Sequence, residues 1–114
     1  MLRTTKDLRG KLMLLRVLAL LEDGSVSLDD PAIMDSLEGL KREVTGPSMW
    51  SSVELWERWI RTKDRAAILG LRESDDETSI RLRNLSPLNV LLSEDDRIEI
   101  LCEVHGRAQA LLSA

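Results

Sequence analysis

At 114 residues, with 43% hydrophobic and 32% charged residues and a formal net charge of −4, the chain has the composition of one globular domain and not of a disordered or fibrous segment. Phe and Tyr are absent and Trp occurs three times, so the core falls to Leu, Ile, Val, Met and Ala, and a leucine-rich aliphatic core favours helices over sheets. The single cysteine, Cys102, excludes an internal disulfide and fits an intracellular, cytoplasmic setting that is reducing.

The charge is unevenly spread. Residues 1–16 carry Arg3, Lys6, Arg9, Lys11 and Arg16 against Asp7, a local charge of +4, whereas residues 17–53 sum to −5. The overall negative charge disfavours nucleic acid as a partner, although a local patch can still bind it. The basic, acid-poor start is also compatible with an organelle transit peptide. Arg16 interrupts the apolar stretch Leu12–Leu21, which is too short to span a bilayer, and Glu22-Asp23-Gly24 replaces the small residues of a signal cleavage site.

In chain order, the first helix is expected over about 5–21, capped by Thr4 or Thr5 and stopped before Gly24. Leu8, Leu12, Leu15, Leu18 and Ala19 form one face. Leu14, Val17 and Leu21 extend it around the side, so that little of the circumference is polar. Such a helix is central to a core or lies in an oligomer interface. Asp30-Pro31 reads as an N-cap followed by Pro at the first helical position, opening a helix over 31–44 with Ile33, Leu37, Leu40 and Val44 as its stripe. Ser51-x-x-Glu54 reads as a capping box opening a third helix over 51–67, with Val53, Trp56, Trp59, Ile60, Ala66 and Ala67 on one arc and Gly70 as its stop.

Residues 71–92 admit two readings: a short helix capped near Ser74–Glu77, or a polar turn followed by a strand at Ser79–Arg83 that pairs with Ala67–Arg72 in a β-hairpin. Ser86-Pro87 starts a short helical turn. Ser93 caps a last helix over 94–112, whose arc holds Ile98, Leu101, Cys102, Val104, His105, Ala108, Leu111 and Leu112. The expected fold is therefore mainly α: a compact bundle of four main helices, at 5–21, 31–44, 51–67 and 94–112, in one domain over 1–114.

No residue pattern points to catalysis. Cys102-x-x-His105 is the one pairing with reactive potential, but one Cys and one His cannot make a four-ligand zinc site, and a mid-helix Cys among Ile98 and Leu101 is poorly placed to ionise. Asp29-Asp30, Asp75-Asp76-Glu77 and Asp95-Asp96 sit at predicted helix starts or a turn, where acids favour the helix dipole. The glycines are scattered, so no phosphate-cradling loop exists. The expectation is of a non-enzymatic protein without cofactor, metal or small-molecule substrate.

Two functional readings follow. The first is a helical interaction module, an adaptor, regulator or accessory subunit working through protein contacts or self-association. Its candidate contact residues are Trp50, which precedes the expected third helix, Lys63, which interrupts that helix's apolar arc, and Leu14, Val17 and Leu21 of the first helix. The second is a winged-helix DNA-binding regulator with a wing hairpin at about 67–84, in which Arg72, Arg81 and Arg83 on the wing and Arg65 on the third helix would face DNA. Against it stand the acids Glu73, Asp75, Asp76 and Glu77 in the same segment, which repel phosphate.

Overall fold

The computed structural model describes residues 4–113, and side chains as far as Gln109. Among these residues every regular element is helical and no strand occurs. Thr4 starts the first helix, α1 (Thr5–Glu22), its Oγ1 accepting from the Asp7 amide. Asp30 caps α2 (Pro31–Glu43) through the Ala32 amide, with Pro31 at the first position. Both starts follow from the rule that a side-chain oxygen must replace the carbonyl missing below the first helical turn.

α3 and its successor depart from the expected 51–67. The helix begins four residues earlier, at Pro47, and ends at Thr62, while α4 (Arg65–Gly70) is a separate turn and a half. Pro47 again occupies the first helical position, so Ser51 lies inside the helix and is no cap. The break comes at Lys63, whose backbone is left-handed (φ 53°), and at Asp64, whose carboxylate accepts from the Ala67 amide and restarts the helix. Ala66 is consequently exposed.

Residues 71–92 are helical. α5 (Glu77–Asn84) is capped by Asp76, whose Oδ1 accepts from the Ser79 amide at 2.7 Å, and Pro87–Leu91 forms a 3₁₀ turn capped by Ser86. The hairpin at 67–84, and with it the wing, is not formed. The alternation at 79–83 that suggested a strand has a different cause: Ser79, Leu82 and Arg83 are the inward side of α5. α6 (Glu94–Ser113) starts where expected, Ser93 Oγ accepting from the Asp96 amide.

The helices pack around α1, which meets α5, α6 and the 3₁₀ turn, while α2 packs on the 3₁₀ turn and α3, and α3 on α4 and α5. The buried line of α1 runs through Leu14, Val17, Leu18 and Leu21. Positions expected at the side of the apolar arc are thus its centre, and Leu12 and Leu15 are only half-buried. Trp56, Ile33, Leu37, Ile68, Leu88 and Ile100 complete the core, each at most 2% exposed. Trp59 packs edge-on to Trp56, ring centroids 5.3 Å apart.

The last carbonyls of a helix lack intrahelical donors, and side chains from other elements reach several carbonyls near helix ends here. The Trp56 indole donates to the Leu82 carbonyl in the last turn of α5 (2.8 Å), Arg65 to the Leu21 carbonyl at the end of α1, and Arg97 to the Asn89 carbonyl in the 3₁₀ turn. Arg83, fully buried, donates Nη1 to the carbonyls of Leu71 and Ser74 and Nη2 to Asp75. Asp75 is shared with Lys11 of α1 at 2.9 Å. One guanidinium thereby joins α5 to the α4–α5 connection, and through Asp75 to α1. Lys41 performs a similar service on the surface, bridging Glu38 of α2 and Glu57 of α3.

Candidate interaction surface

The contact residues expected from the sequence do not converge. Leu14 and Val17 are completely buried and Leu21 is 6% exposed. They face α1's neighbours within the chain, so the circumference that suggested an oligomer interface is covered internally. Trp50 is 43% exposed in the first turn of α3, outside the register of Trp56. Lys63 caps the other end of that helix and pairs with Asp29. Thirteen residues of helix at 1.5 Å each put Trp50 and Lys63 about 20 Å apart, too far for a single small contact.

The arginines expected to face DNA are also dispersed. Arg83 is buried inside the fold, Arg65 is tied to the end of α1, Arg72 lies beside Glu73, and Arg81 lies beside Glu77. Arg65 and Arg72 instead rim an apolar hollow of about 390 Å³ walled by Leu18, Leu21, Ile68 and Leu69.

α6 provides the surface that the sequence did not reveal. The expected arc of Ile98, Leu101, Cys102 and His105 is not the buried side: Ile98 is 51% and Leu101 46% exposed, and Cys102 and His105 are exposed too. The helix packs on α1 through Ile100 and Val104, at 2% and 8% exposure. Leu111 and Leu112 lie outside the described side chains. At 100° per residue, Ile98, Leu101, Cys102 and His105 share the side of the helix turned away from Ile100. Glu94 and Asp95 begin that side, in the first turn, where they favour the helix dipole.

α6 is anchored at its start by ion pairs. Arg16 of α1 reaches Asp96 at 2.7 Å and Glu99 at 3.0 Å. The Asp96 carboxyl is held below its ordinary pKa by the Ser93 amide and hydroxyl first and by Arg16 second, while the Arg16 guanidinium is pushed up by Glu99 and Asp96. Both shifts keep the pair charged across the neutral range. Among the described residues, no group of three or more His, Cys, Asp and Glu side chains converges as metal ligands would, and no helix is long and apolar enough to cross a membrane.

Comparison of the chain with protein-family models, curated proteins and solved structures finds no match.

Proposed function

We propose that the chain is a non-enzymatic helical interaction module that binds another protein through the outward side of α6. The observation that carries this reading is that a helix of twenty residues contributes Ile100 and Val104 to the core but turns Ile98 and Leu101 to solvent at about half exposure. Large aliphatic side chains in register on an exposed helix face are the usual contact residues of helix-mediated association. Arg16, Asp96 and Glu99 fix the start of the helix against α1, so the face is presented on a held scaffold and little order is lost on docking. A second copy of the chain is the simplest occupant, because a face of this kind can pair with itself about a two-fold axis.

The test replaces Ile98 and Leu101 together by Glu. Neither side chain is buried in the fold, so the variant keeps its far-UV circular dichroism. Light scattering against dilution then gives a dimer for the wild type and a monomer for the variant. If the wild type is monomeric throughout, affinity purification from the native source decides. A partner retained by the wild type and lost by the variant supports the reading, and an identical set of proteins on both sinks it.

A further inference from the structure

A second feature, which shares Leu101 with the α6 face, lies where α1, α5, the 3₁₀ turn and α6 meet. A cavity of about 360 Å³ opens there, and its walls include Lys6 and Arg9 of α1, Arg83 and Asn84 of α5, Asn89 of the 3₁₀ turn and Arg97 of α6. Four cationic residues converge on it, and no carboxylate lines it among the described residues. In a chain of net charge −4 such a concentration of positive charge is not what an average surface supplies.

Three of the four cations have no carboxylate partner among the described residues. Most basic side chains of this protein have a carboxylate within reach: Lys11, Arg16, Lys41, Arg61, Lys63, Arg72, Arg81, Arg83 and Arg107 all do. Lys6 and Arg9 make no ion pair among the described residues, and Arg97 donates only to the Asn89 carbonyl, at 2.7 Å. Arg83 is neutralised by Asp75 and contributes little net charge. Behind the wall, Asp7 accepts from Asn84 Nδ2 at 2.8 Å.

The wall behind the cavity holds buried polar atoms. Three buried side-chain polar atoms lack a hydrogen-bond partner among the described residues: Arg83 Nε, Asn84 Oδ1 and Asn89 Oδ1. All three belong to residues that line this one cavity. Each is closed off from solvent, and Asn84 Oδ1 rests against Gly10 of α1, so these atoms belong to the packing of the wall and not to its open surface. Gly10 fits the same picture: a Cβ there would collide with Asn84 Oδ1, so glycine lets α5 press against α1 and close the cavity floor. The lining thus offers guanidinium and ammonium donors for an oxyanion.

We infer that this cavity is a binding site for a small phosphate-bearing molecule. Three unpaired cations match a phosphate dianion better than a single carboxylate, which one arginine can satisfy bidentately. The volume falls in the lower part of the range for small-molecule sites, which suits a phosphate or a small phosphate monoester. The carbon part of a monoester would rest on Met13 and Leu101, the apolar members of the wall.

The test is an NMR titration of the ¹⁵N-labelled full chain with sodium phosphate and with glycerol 3-phosphate, against sodium chloride at matched ionic strength. The expected result is saturable binding of both phosphate probes at about 1 mM or tighter. Shifts should be confined to residues 6–13, 83–89 and 97–101. Lys6→Gln with Arg9→Gln should weaken binding at least about tenfold, because neither side chain supports the fold through an ion pair. Arg42→Gln with Arg58→Gln removes the same charge from α2 and α3, and should change the affinity less than about twofold. Non-saturating shifts identical to those of chloride would overturn the inference, as would equal losses in the two double variants. So would saturable binding of duplex DNA with neither small probe bound, which would make the cavity part of a nucleic-acid surface.

Discussion

Replacing Asp75 by Asn keeps the shape of the side chain and removes the charge that Arg83 and Lys11 share. Arg83 is fully buried and its Nη2 rests on Asp75 at 2.8 Å, while Lys11 holds the same carboxylate at 2.9 Å. Breaking a wholly buried pair by removing one partner costs about 3–5 kcal/mol. That figure must be reduced here, because the Asp75 side chain is 33% exposed and Arg83 keeps the Leu71 and Ser74 carbonyls as acceptors. The Lys11 contact adds no more than about 1 kcal/mol at its partial exposure. The expected loss is about 2–3 kcal/mol, which for a domain of this size lowers Tm by roughly 8–12 °C. Urea denaturation at neutral pH measures it, and the same experiment near the carboxylate pKa checks the cause. Lys11 first and Arg83 second hold the Asp75 carboxyl below its ordinary value of 3.8. A carboxyl depressed in the folded state stabilises above its unfolded pKa, and the contribution disappears as pH falls through the folded one. The gap between wild type and variant should therefore be full at neutral pH and narrow as pH drops below 3.8. A loss below about 1 kcal/mol at neutral pH, or a gap that stays constant into acid, would refute the assignment of Asp75 as the counter-charge of Arg83.

Trp56→Phe removes the indole donor from the Leu82 carbonyl and leaves a gap in a site with no exposure. A loss of about 2–3 kcal/mol by chemical denaturation is expected, and a variant as stable as the wild type would show that the carbonyl finds another donor. Lys63→Gly relieves a left-handed backbone (φ 53°), and thermal unfolding should show stabilisation of up to about 1 kcal/mol from that source, reduced by loss of the exposed contact to Asp29. A fall in Tm would instead make the Asp29 contact the larger effect.

The legible parts of the fold were those with one local cause. Asp30-Pro31 and Ser93 located two helix starts because a cap and its helix lie within four residues of each other, and tertiary packing cannot move them. Gly46-Pro47 carries the same proline signal but also resembles a helix stop. Ser51-x-x-Glu54 then offered a competing start, and the earlier one prevails because Pro47 at the first position sacrifices no amide bond. The break at Lys63 was hidden because Lys is not a residue expected in a left-handed turn. Asp64, standing three residues before the amide it caps, was the available sign. At residues 79–83 a period-two pattern arose from a buried arginine. Arg83 counts as polar in any pattern, yet its partners are carbonyls of residues 71 and 74 and the Asp75 carboxylate, which bring it inside.

The functional surfaces were less legible, and for a related reason. The arc Ile98–Leu101–Cys102–His105 satisfies helical periodicity as well as the true core pair Ile100 and Val104 does, and periodicity alone does not say which of two apolar stripes meets the rest of the chain. The choice falls to α1, whose Arg16 pins Asp96 and Glu99 and so turns Ile100 inward. The cavity had a partial sign in the +4 charge of residues 1–16, but its other walls come from residues 83–101, more than sixty positions away. Lys11 and Arg16 of that basic stretch are neutralised by Asp75 and Asp96, whereas Lys6 and Arg9 make no ion pair among the described residues. Net charge along a sequence therefore overstated the number of cations without an acid partner, because burial and pairing depend on the complete fold.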